Sequence, residues 1–313
     1  MSNSNTNLNS TFKSQDTEEW LDIVFTRPIG YRWALFFNHF NVHPNVVTVI
    51  SMFLGAGAGV MFSFDASTSK GLLYNFLGVL LLMWANFYDS CDGQMARMTG
   101  KKTRLGRILD GFAGDVWFFS IYLAIIIRIF HTPIPFIGVE WGWYGFVLAA
   151  VCGLVLHARQ CGLADYYRNI HLYFIKGEDG SELDNSVQQK KIYDETPWKG
   201  NFLWKIFLRS YVNYTKQQES QTPHFQKFLK KLKQTYPDAI PTEIREKFRA
   251  GSLPLMKYAN ILTFNTRAIV LYISCLINLP WIYFLFELIV MTSLYFYMRY
   301  KHEALCKRLY YEL

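Results

Sequence analysis

Six stretches of this chain, at about 46–66, 71–89, 111–130, 143–162, 261–279 and 281–299, are each close to twenty residues long and dominated by apolar side chains. Twenty residues of α-helix rise about 30 Å, which matches the hydrocarbon thickness of a bilayer. A water-soluble fold rarely repeats such stretches, and in lipid each segment must satisfy its backbone hydrogen bonds internally. The expected fold class is therefore an all-α polytopic membrane protein with six transmembrane helices.

The flanking residues fill in the organisation. "EEWLDIVFTRPIGYRWALFFNHF", ahead of the first span, mixes apolar, aromatic and basic residues. That pattern predicts an N-terminal amphipathic helix in the interface plane, with Arg27 and Arg32 near head groups. "HPN" at 43–45 then turns the chain into the first span. Residues 1–19 are polar and rich in Asn, Ser and Thr, as expected of a disordered cytoplasmic tail rather than a secretory signal. Arg97, Lys101, Lys102, Arg104 and Arg107 fall between the second and third spans, and the C-terminal tail "RYKHEALCKRLYYEL" is basic. The opposite loops carry a single lysine, Lys70. By the positive-inside rule both termini and the second loop face the cytoplasm.

Residues 165–258 are expected to form a cytoplasmic helical insertion between a segment at 20–164 and the last two spans with the tail at 259–313. Within it, "WKGNFLWKIFLRSYVNYTK" and "HFQKFLKKLKQTY" set apolar residues at helical spacing among Lys and Arg. Such segments suit helices on a membrane surface, or equally a small helical lid or dimer contact. The net charge of +8 is thus spread along membrane-facing segments, and no nucleic acid partner is expected. Cys91, Cys152, Cys161, Cys275 and Cys306 show neither CxxC nor Cys/His spacing and read as packing residues.

The most informative stretch is "DSCDGQMARMTGKKTRLGRILDGFAGD", residues 89–115. It sets four aspartates at the ends of two apolar helices, where ionised carboxylates are tolerated only if paired or metal-bound. A step of three residues turns a helix by about 300°, so Asp89 and Asp92 share a face. Asp110 opens the next helix and can meet them across the packing seam. A set of hard oxygens suits Mg²⁺ or Mn²⁺. Gly93 and Ala96 leave room for a ligand to approach the backbone, and Arg97 can neutralise phosphate. The bland alternative is a solvated helix end in which the acids pair with nearby arginines.

Asp89, Asp92, Gly93, Ala96, Arg97, Gly106 and Asp110 are spaced as in the signature DxxDGxxARx8GxxxDxxxD, which this stretch resembles at every position but the last. Chance agreement at seven fixed positions is roughly one in 10⁸ or rarer. The stretch is similar to the CDP-alcohol phosphotransferase family, and "PNVVT" entering the first span resembles it too. The resemblance implies two divalent ions, Mg²⁺ or Mn²⁺, on Asp89, Asp92 and Asp110, with Asp89, Gly93, Ala96 and Arg97 around the CMP part of the substrate. It also implies a membrane lipid and a CDP-activated donor as partners, CMP as product, and a homodimer. The resemblance further implies that the fourth aspartate of the signature acts as a metal ligand and as the base for the acceptor hydroxyl. Here position 114 is glycine and Asp115 comes one residue late. A π-bulge near Gly111 and Gly114 would return Asp115 to register as both catalytic base and metal ligand.

The leading expectation is transfer of a phosphatidyl group from CDP-diacylglycerol to a small polar alcohol such as inositol phosphate. Lys101, Arg104, Arg107, Arg159 and Arg267 are the candidates for binding the acceptor's phosphate. The alternatives are a choline- or ethanolamine-phosphotransferase acting on diacylglycerol, and a non-catalytic paralogue that binds nucleotide-lipid or scaffolds a partner. A channel or transporter would place polar groups at the bilayer midplane. Arg128 is expected to reach the interface opposite the aspartates, and His157 to be a satisfied structural residue.

Overall fold

The computed structural model describes residues 14–101, 103–178 and 180–313. Most of the expected N-terminal tail (residues 1–13) and Lys102 of the basic loop lie outside the described residues. The described residues are helical, with one isolated bridge between Pro133 and Glu140. Six helices are long and apolar enough to cross a membrane: Pro44–Phe62, Ser69–Thr99, Arg104–Ile129, Gly142–Lys176, Thr242–Leu276 and Trp281–Glu312. They contain the six expected spans to within a few residues, and several run well beyond the twenty residues a bilayer requires.

The chain forms two compact units. The first comprises residues 1–156 and 267–288, the second residues 157–266 and 289–313. In the first unit, a π-helical turn at Asp22–Thr26 leads into α1 (Arg27–His39), which packs on α3 (Ser69–Thr99). Trp20, Phe25, Phe36 and Phe40 stay exposed, as an interfacial helix requires. Arg27 pairs with Glu18 at 3.1 Å.

Helix α2 (Pro44–Phe62) is the organiser of this unit, because it packs against both α3 and α4 (Arg104–Ile129). Its small residues permit the approach. A Cβ at Gly55 would fall 2.0 Å from Trp117, and one at Gly59 would fall 2.8 Å from the Ser120 backbone. Close contact through small residues four apart is how helices associate when hydrophobic exclusion is absent.

Arg128, near the end of α4, does more than reach an interface. Its guanidinium donates to the Phe62 carbonyl at 3.1 Å, to Asn75 Oδ1 at 2.8 Å, to the Cys275 carbonyl at 2.9 Å and to Asn278 Oδ1 at 2.6 Å. It therefore ties the ends of α2, α3 and α11 (Phe264–Leu276) to α4. Truncation to alanine leaves the helix-end carbonyls of two buried residues, Phe62 and Cys275, without this donor. Arg128→Ala is expected to lower stability by about 2 kcal/mol, read as a reduced unfolding temperature in detergent.

The second unit is a helical module built from α6 (Ala158–Lys176), α7 (Ser186–Glu195), α8 (Phe202–Gln221), α9 (Pro223–Thr235), α10 (Thr242–Ile261) and α13 (Thr292–Glu312). Its core holds Tyr167, Phe174, Phe225, Phe228 and Phe248, with Phe174 and Phe248 stacked at 3.8 Å. Of the two basic amphipathic segments, α9 buries its apolar face here, through Phe225, Phe228 and Leu232, and packs on α13. That face is therefore not available to a membrane surface. Glu303 of α13 accepts hydrogen bonds from the His224 and Phe225 N–H groups at 2.6 and 3.4 Å, where a negative charge complements the α9 dipole.

Candidate active site

Asp89 and Asp92 lie in the last turns of α3. Gly100 ends that helix with φ +70°, a left-handed conformation that glycine adopts without strain. Thr103 restarts the chain as α4, its hydroxyl accepting the Gly106 N–H at 2.9 Å. Asp110 follows in the second turn of α4. Gly106 also faces α2, since a Cβ there would lie 3.1 Å from Asn45 Oδ1. The tight link and the shared packing on α2 bring the three carboxylates together. One oxygen from each of Asp89, Asp92 and Asp110 lies within 4.8 Å of the others.

Burial is graded across the group. Asp92 is 4% exposed, Asp89 is half-buried and Asp110 is exposed. Thr48 donates its hydroxyl to Asp92 and is itself buried on α2. Three carboxylates this close, one of them deep in the fold, repel one another unless a cation sits among them. Their oxygen-only donor set fits a divalent ion of the Mg²⁺ or Mn²⁺ class.

Around this group, the Arg97 guanidinium lies 3.4 Å from where a Gly93 Cβ would stand, so it folds across the bare backbone of that residue. Ala96 is half-buried, and Lys101, Arg104 and Arg107 are exposed at the turn and on the first turns of α4. Sequence reasoning missed two supporting residues. Thr48 belongs to "PNVVT", and its place one turn after Pro44 was the available signal. Gln94 donates to the Arg27 carbonyl at 3.1 Å, anchoring α1 to α3, and nothing local in the sequence pointed to that contact.

Two expectations are corrected. Helix α4 is regular from Arg104 to Ile129, and the π-helical turns lie elsewhere, at Asp22–Thr26, Val151–His157 and Phe286–Met291. Without a bulge, Asp115 stands about 140° around the helix from Asp110. It is exposed and outside the three-carboxylate group. Arg267 is fully buried and donates to Glu287, whose carboxylate also takes the hydroxyls of Tyr122 and Tyr283. Its charge is committed to an internal ion pair, not to an acceptor phosphate. Arg159 is exposed on α6 of the second unit. His157 is buried, with its Nε2 3.7 Å from Cys161 Sγ.

Residues 41–168 match the sequence model of the family described as CDP-alcohol phosphatidyltransferase. The chain is 35% identical over 85 residues to the bifunctional IPC transferase and DIPP synthase of Archaeoglobus fulgidus, a match covering 27% of this chain and 15% of that protein. It is 37% identical over 75 residues to an uncharacterized protein of Aquifex aeolicus, covering 24% of this chain and 34% of that one. The matches thus span about a third or less of these relatives. No solved structure matches the chain.

Proposed function

We propose, from the place of residues 41–168 in the CDP-alcohol phosphatidyltransferase family, that this multi-pass membrane protein transfers a phosphatidyl group from CDP-diacylglycerol to the hydroxyl of a small polar acceptor and releases CMP. The observation that carries the reading is the convergence of Asp89, Asp92 and Asp110 within the matched segment. A divalent pair held there would polarise the donor's pyrophosphate and stabilise the leaving CMP. Gly93 gives the Arg97 guanidinium room to fold over its backbone, so that Arg97 supplies positive charge where the nucleotide would bind, and the small Ala96 leaves space beside it. Asp89 would serve both the metal and the CMP part.

Lys101, Arg104 and Arg107 share the turn and helix with Asp110, which supports a phosphorylated acceptor such as inositol phosphate. The loop charges support a cytoplasmic active site and cytoplasmic termini, and the family resemblance supports a homodimer. The test is CMP release by purified protein in Mg²⁺ or Mn²⁺, with CDP-diacylglycerol and a panel of alcohols. CDP-choline and CDP-ethanolamine with diacylglycerol run in parallel. Release with the second donor set alone would move the assignment to a head-group phosphotransferase.

Gly114 favours one further reading, a protein that binds the donor without turning it over. Retained CDP-diacylglycerol binding with no release from either donor would establish it. Thr48 offers a check on the metal site itself. Thr48→Val removes the hydroxyl that orients Asp92, and outer-sphere partners of this kind are worth about 10- to 100-fold in metal affinity. A weakening of about 10-fold is expected in a Mn²⁺ titration followed by thermal unfolding.

A further inference from the structure

The second amphipathic segment behaves unlike α9. Helices α7 and α8 pack on each other as a hairpin, and α8 buries Leu208 and Val212 in the module. Its first two turns and the preceding loop present the opposite face. Trp198 is 47% exposed, Phe202 63%, Leu203 69% and Ile206 45%. This apolar tip is rigidly built. Lys205 is buried beneath it, with its Nζ donating to the Thr196 carbonyl at 2.6 Å. The same ammonium lies 4.7 and 5.0 Å from the Tyr193 and Trp198 ring centroids. Trp198 in turn packs on Phe202 at 6.0 Å.

The uncompensated charges around the tip are positive. Lys190 and Lys191 of α7 are paired with Asp194 and Glu195. Lys199 and Arg209 are exposed at the tip and have no ion-pair partner among the described residues. A contiguous apolar surface with cations at its rim is the pattern of an interfacial membrane contact. Helices α6, α10 and α13 of this same unit belong to candidate membrane-spanning helices, Gly142–Lys176, Thr242–Leu276 and Trp281–Glu312. A bilayer is thus held at high effective concentration near the tip, whatever other partners are present.

We propose that the α7–α8 tip docks on an anionic bilayer surface. Trp198, Phe202, Leu203 and Ile206 enter the head-group region, and Lys199 and Arg209 meet lipid phosphates. The proposal stands apart from the transfer reaction, and its test reads lipid contact, not activity. The full chain is reconstituted in nanodiscs of phosphatidylcholine with about one-third phosphatidylglycerol. An environment-sensitive NBD label is placed at Leu203→Cys or, as control, at Ser220→Cys, an exposed position at the far end of α8. Labelling of the parent chain, whose Cys161 is partly exposed, is subtracted.

The Leu203 label is expected to be blue-shifted relative to the control, to be quenched about twofold by doxyl-labelled lipid and to be shielded from iodide. Replacing the anionic lipid with phosphatidylcholine should reduce the lipid quenching. A Leu203 label as wet as the control would overturn the proposal. So would a label that is shielded yet indifferent to doxyl lipid and self-quenched as the labelled fraction rises, which would assign the tip to a second copy of the chain.

Discussion

Asp92→Asn is expected to cut metal-dependent CMP release by about 10³-fold, the equivalent of roughly 4 kcal/mol of lost transition-state stabilisation. Asp92 is the deepest of the three clustered carboxylates, and every other member of the group lies within 4.8 Å of it. The amide keeps an oxygen that can accept the Thr48 hydrogen bond, so the local packing survives while one negative charge is removed. Like-charge repulsion in the empty group falls with it. The variant should therefore unfold in chelator at a temperature no lower than the parent. The two should separate when Mn²⁺ is added. At 100 times its dissociation constant the ion stabilises the parent by about 2.7 kcal/mol, and the variant should gain much less. An undiminished rate in Asp92→Asn would remove the carboxylate group from the chemistry. A fall in chelator stability would mean that the activity loss reports folding instead.

The parts of this molecule that were legible in sequence are those governed by short-range rules. Span length and hydropathy are properties of contiguous residues, so all six membrane helices could be read. The Asp89, Asp92 and Asp110 group was legible because helical periodicity and a short turn fix their relation. Contacts set by remote partners were not. Arg267 looked available because nothing near it in sequence is acidic, and its partner Glu287 comes from another helix. Arg128 takes its hydrogen bonds partly from the Phe62 and Cys275 carbonyls, which leave no mark in side-chain pattern. The α8 and α9 segments have similar composition, yet α9 turns its apolar face into the module and α8 leaves part of its own outside. Only the arrangement of α6, α10 and α13 decides between them. The absent bulge belongs to the same category, since a helix with glycines at 111 and 114 can accept a π-turn but has no need to form one.

Gly114→Asp is expected to raise CMP release by at least about 10²-fold, the lower end of what a positioned general base contributes. Position 114 lies one helical turn beyond Asp110, about 40° around the axis, where a carboxylate can face the same seam. The site has room for it, because a Cβ at Gly114 meets nothing within 4 Å. Its proximity to Asp110 adds a like-charge pair at i, i+4 worth a few tenths of a kcal/mol. Replacing a mid-helix glycine offsets that by about 0.5 to 1 kcal/mol. Gly114→Ala separates the two contributions, since it gains the helix stability and should leave the rate unchanged. On a regular α4 the exposed Asp115 is turned about 140° from Asp110, so Asp115→Asn is expected to alter release by no more than about twofold, as surface substitutions do. The opposite pattern, with Asp115→Asn inactive and Gly114→Asp silent, would mean that Asp115 reaches the acceptor and that α4 departs from its regular winding when substrate binds. A gain in Gly114→Asp would instead identify residue 114 as the position that limits turnover. The chain would then hold and polarise the donor while leaving the acceptor's proton without a dedicated base.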